Sequence, residues 1–120
     1  MAIIVALALS ALAQRAVELE TAAQRLRNRA ARPVADASLD ERENVKALRK
    51  LATGIAGRLE GQALRMRKAA REGKDPAPFE AEAKALVKDA EKELREFEAT
   101  NRVSKAEHEV YLSVIKNLAA

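Results

Sequence analysis

Only three places in this chain are built to stop a helix, and the sequence between them is built to continue one. Pro33 lacks an amide hydrogen and disfavours helical backbone just before it, so a first helix ends near Arg32. Gly73 and then Asp75-Pro76 supply a C-terminal glycine, an N-cap and a proline at the first helical position. Asn101 and then Ser104, with Glu107 three residues later, make the third break, and Ser38 with Glu41 has the same capping-box spacing at the start of helix 2. The predicted helices are about 2–32, 39–72, 76–100 and 105–119.

Apolar residues recur at helical spacing inside each stretch. Val5, Leu9, Leu12, Ala16, Leu19, Ala23, Leu26 and Ala30 alternate four and three apart, as a heptad seam does. Val45, Leu48, Ala52, Ile55 and Leu59 continue the pattern on helix 2, and Phe79, Ala83, Leu86, Val87, Ala90, Leu94 and Phe97 on helix 3. On helix 4 the expected inward face is Val110, Tyr111, Val114 and Leu118. The fold class is therefore all-α: one domain, 1–120, an antiparallel up-down-up-down four-helix bundle with unequal helix lengths. Helix 4 is about half as long as helices 1 and 2, so it should cover the C-terminal half of helix 1 and leave the N-terminal half short of partners.

That N-terminal half is apolar on every side. "MAIIVALALSALA" lacks a basic leader and is shorter than the roughly 20 residues a bilayer requires. The seam runs through it in phase, so it reads as the start of helix 1, with no membrane span and a soluble protein expected. Ile4, Leu7 and Ala11 fall outside the seam and call for a cover of their own.

Helix 2 carries "GIAGRLEGQ", residues 54–62, with three glycines on its charged side. Each costs about 1 kcal/mol against alanine in a helix interior. Gly57-x-x-x-Gly61 allows close crossing of a second helix; the alternative is a frayed or kinked segment. Antiparallel counting puts Gly61 and Leu64 near residues 7–10 of helix 1. One apolar surface there predicts a homodimer.

Gln62 falls on the seam and must find hydrogen-bond partners inside, or else serve as a polar handle for a ligand. Alanines at Ala16, Ala23 and Ala52 either draw helices together or leave space. Counting places them near Phe97, His108 and Tyr111, a candidate cavity with a polar handle. His108 is the sole histidine, so it is either one axial haem ligand or a surface residue in a first helical turn. Paired Glu-x-x-His motifs for a di-iron site are absent, and with no cysteine there is no disulfide or thiolate chemistry. Glu107 faces inward, but its capping-box role accounts for it.

The stretch "QRLRNRAAR" puts Arg25, Arg29 and Arg32 on one helix face. Such a stripe can hold phosphates, but it also complements the negative end of helix 1. The net charge is +4 and no aromatic residue interleaves with the stripe, so no nucleic-acid partner is expected.

The tidy breaks "REGKDPAPFE" and "SKAE", and the alternating charges of "EAEAKALVKDAEKELREFEA", resemble computationally designed helical bundles over residues 72–120. The resemblance implies a bundle made to hold a small molecule or cofactor, or to present an interface. The expected function is a binding protein with a small-molecule ligand near Ala16, Ala23, Ala52, Gln62, Phe97, His108 and Tyr111. The alternative is a structural module that self-associates through helix 1 and the glycine face of helix 2. Enzymatic activity ranks below both.

Overall fold

The computed structural model describes residues 2–33, 39–101 and 103–119, the side chains of 2–10 and 39–40 excepted. Four helices follow one another: α1 (Ala2–Ala30), α2 (Leu39–Arg71), α3 (Pro76–Thr100) and α4 (Lys105–Ala119). No strand occurs among the described residues. Each end lies within two residues of its predicted position.

The breaks act through the atoms that define them. Gly73 adopts φ +66°, the left-handed conformation, and its N–H donates to Ala70 O at 3.2 Å while that of Lys74 donates to Ala69 O at 3.0 Å. This pair of bonds is the Schellman closure, and it satisfies carbonyls that the end of α2 leaves open. Asp75 Oδ1 accepts from Ala77 N at 3.1 Å, with Pro76 at the first helical position. Asn101 closes α3 in extended backbone, and its N–H donates to Phe97 O at 2.9 Å. Ser104 Oγ accepts from Glu107 N at 3.2 Å, one half of the expected capping box. The Ser38 half of the other box lies outside the described residues.

Two cross-bridges fix how α1 lies on α2. Glu20 meets Arg67 through two 2.7 Å bonds, and Arg27 meets Glu60 at 2.6 and 2.8 Å. Both pairs define one register, in which numbers fall along α2 as they rise along α1. That register puts Ala30, the end of α1, opposite Gly57 and puts Arg71, the end of α2, opposite Ala16. Gly61 and Leu64 therefore lie opposite Leu26 and Ala23, not near residues 7–10. The expectation failed because it assumed flush helix ends, whereas these helices are staggered by several turns.

The α1–α2 interface is the most extensive in the molecule. Ala56, Ala63 and Ala70, seven apart on α2, are buried, as is Ala22 on α1. Small side chains along both edges let the two helices lie close together. Leu12, Leu19, Leu26, Leu48, Ile55, Leu59, Met66 and Leu94 fill the centre of one continuous core. On α4 the buried residues are His108, Tyr111, Leu112, Ile115 and Leu118. Val110 and Val114, expected inside, are only half-buried. The helix is turned because His108 finds a partner within the core, which lets Leu112 and Ile115 follow it in.

The stagger leaves α1 standing clear at its N-terminal end. Arg15 bonds Leu118 O in the last turn of α4 at 2.9 Å and approaches Glu80 in the first turns of α3 at 3.1 Å. All three partner helices stop near this level, and α1 continues back to Ala2, about 20 Å further at 1.5 Å per residue. The molecule is 60 Å long and its radius of gyration is 16.5 Å, against about 14 Å for a compact chain of this length.

Candidate functional site

The residues expected to line a cavity separate into two groups. The α2–α3 register, set by the Arg58–Glu93 bridge, brings Ala52 to about the level of Phe97. His108 meets α3 at Leu94, one turn from Phe97, and Tyr111 follows on the same face of α4. Ala23 lies opposite Leu64 in the α1–α2 register, about three turns of helix from Ala52. Ala16 lies two further turns beyond Ala23, near Leu118, and Gln62 sits at the start of α3. The three seam alanines and Tyr111 are at most 1% exposed. Four surface grooves stand out among the described residues, and none is lined by Ala16, Ala23, Ala52, Gln62, Phe97, His108 or Tyr111.

The polar handles are engaged within the fold. Gln62 Nε2 donates to Phe79 O at 3.2 Å and Glu82 Oε1 at 3.4 Å. His108 is completely buried, not a surface residue, and Nε2 lies 2.9 Å from Leu94 O. A carbonyl only accepts, so Nε2 carries the proton. Nδ1 faces Glu98 Oε2 at 3.3 Å without a hydrogen bond. With Nε2 committed and Nδ1 covered, the ring presents no open nitrogen to an iron atom. Among the described residues no cluster of three His, Cys, Asp or Glu side chains converges on a metal position.

Beside His108 lies a polar cluster that sequence reasoning missed. Glu107 does not complete its capping box: its carboxylate meets Arg29 Nη2 at 2.9 Å and lies 3.8 Å from Arg49 Nη2. The Tyr111 hydroxyl donates to the same carboxylate at 3.5 Å. Burial first, and the Glu107 charge second, push the Tyr111 phenol above its ordinary value near 10. Arg29 and Arg49 each keep a buried Nε without a hydrogen-bond partner among the described residues. The signal in the sequence was the inward phase of Glu107, masked by its second possible role as a cap.

The largest of these four grooves lies where α1 outruns its partners. It measures about 540 Å³ and runs between α1 and α3 past the end of α4, over Ala11, Gln14, Arg15, Val87 and Leu118. Arg15 forms its floor, buried to 14% side-chain exposure and bonded to Glu18 and the Leu118 carbonyl. Cations Lys84 and Lys88 and acids Glu18, Glu80 and Glu91 balance around the rim. No helix among the described residues is long and apolar enough to cross a membrane. No described protein family, curated protein or solved structure matches this chain.

Proposed function

We propose that the protein is a self-associating structural module, in which two copies pack the leading segments of α1 against each other. The observation that carries this reading is the reach of α1: helical from Ala2, it extends past the level where α2, α3 and α4 stop. The leading segment reads "AIIVALALS", which has no charged residue. A helix apolar on all sides requires cover on all sides, and a second copy supplies the same segment by two-fold symmetry. The groove at the root of the segment, lined by Ala11 and Gln14, gives the partner's helix a place beside α1 and α3 where α4 has ended.

This assembly differs from the arrangement expected from sequence in one respect. Gly61 and Leu64 lie far from the leading segment and take no part in it. A second reading, binding of a small molecule, rests on the same groove: its volume of about 540 Å³ falls in the range of ligand sites, and Arg15 on its floor, held by Glu18 and Glu80, brings a positive charge into it. Native mass spectrometry tests both readings together. The module predicts twice the chain mass of 13.1 kDa with no added mass. A single chain carrying a small extra mass favours the ligand, and a bare single chain removes both.

A further inference from the structure

A second, separate surface runs along the other side of α1, where α4 lies against it. Val110 and Val114, both half-buried and Val114 resting against the core, form one wall with Asn117; the other is α1 from Val17 to Arg29, with Arg32 just past the end of the helix. Two grooves of about 350 and 430 Å³ share Arg25 and Val114 and so form one channel. From Val17 to its end at Ala30, α1 spans about 20 Å, close to four turns of helix, and Arg32 lies just beyond. Val17 is 50% exposed, one of two large apolar residues left so open among the described residues.

Charge along the channel is one-sided. Arg25, Arg29 and Arg32 line one end, and no ion pair engages Arg25 or Arg32 among the described residues. Glu18, the only carboxylate lining the channel among the described residues, lies at the far end and is held by Arg15. Complementing the negative end of α1 does not account for Arg25, because that effect fades within the last turn and Arg25 lies before it. An apolar channel with a neutral polar edge and an unpaired cationic end matches one chemistry of partner.

We infer that the α1–α4 channel binds an amphipathic helix of another protein, about four turns long, apolar on one face and acidic at one end. Apolar residues at i, i+4, i+7 and i+11 lie over Val17, Val110 and Val114, and the acidic end meets Arg25 and Arg32. The rim charges set partner choice and association rate more than raw affinity.

The test uses a fluorescein-labelled 16-residue helical peptide with leucine at those four positions and glutamates grouped at one end, titrated with the full chain by anisotropy. Saturable binding tighter than about 100 µM is expected, weakening roughly tenfold in Arg25→Gln/Arg32→Gln and again in a probe carrying lysine for glutamate. Both arginines are exposed, and far-UV circular dichroism verifies that the variant stays folded. Val17→Asp, at an equally open site, gives a second loss. Absence of saturable binding overturns the inference, and so does equal affinity for the lysine probe or for the arginine variant.

Discussion

Glu20 on α1 and Arg67 on α2 are joined by two parallel hydrogen bonds of 2.7 Å, seven residues along from the Arg27–Glu60 pair on the same edge. The two bridges flank a strip of alanines, Ala56, Ala63 and Ala70, that face α1 without exposed surface to spare. The alanines therefore draw the helices together. Added carbon atoms have no room: Ala63→Leu is expected to cost about 1–3 kcal/mol in urea unfolding, and Ala52→Leu a similar amount. A gain in stability in Ala52→Leu means that the core holds the space a ligand needs.

The glycine face of α2 gives the opposite expectation. A Cβ added at Gly54 or Gly61 meets nothing within 4 Å, and at Gly57 it meets only the Arg27 side chain, 4.0 Å away. Gly54→Ala and Gly61→Ala should each add up to about 1 kcal/mol by helix propensity. Thermal unfolding of the double variant measures the sum. A loss of stability marks a second helix crossing there after all.

His108 ties α4 to the backbone of α3 and leaves no nitrogen for a cofactor. Titration with haemin should give identical spectra for the unsubstituted chain and His108→Ala. The same variant removes a fully buried ring and should lose about 2–4 kcal/mol, the range of large-to-small core changes. His108→Leu keeps most of the volume and drops the unbonded Nδ1, so it should lose less. A Soret band that depends on His108 contradicts this account.

The pH profile follows from groups held away from their ordinary values. Arg67 bonds hold the Glu20 carboxyl below its usual range, and Arg65, aided by Gln62, does the same for Glu82. Lowered carboxyl values mean stability fully present above about pH 4.5 and lost as pH falls below it. Tyr111 is shifted the other way. Its raised value means stability present below pH 10 and lost above it, as the unfolded chain ionises first. The acid arm should be weakened by salt because those pairs are exposed. Replacing Tyr111 with Phe should remove the Tyr111 contribution to the alkaline arm.

Helix ends were readable because each is a local event: Gly73, Asp75-Pro76 and Asn101 act on atoms within a few residues of themselves. The register was not, because Glu20–Arg67 and Arg27–Glu60 are chosen among many charged pairs that the sequence allows. The error at Gly61 and Leu64 follows from that. On α4, Val110-Tyr111-Leu112 and Val114-Ile115 offer two apolar phases, and only the Leu94 carbonyl decides for the one that buries His108. Glu107 was misread for a related reason, since a carboxylate with two possible partners cannot be assigned from spacing. Gln62 was placed correctly on the inward face, with its partners on α3 supplied by the fold.

The most direct test of assembly through α1 is sedimentation velocity of the unsubstituted chain and Leu7→Glu. Leu7 lies in the leading segment of α1, eight residues before Arg15. The account predicts that the unsubstituted chain sediments as a dimer at about 100 µM, well above a micromolar dissociation constant worth about 8 kcal/mol. It predicts a monomer of unchanged helicity for Leu7→Glu at the same concentration. An unsubstituted chain that sediments as a monomer at about 100 µM contradicts it, as does a Leu7→Glu variant that remains dimeric.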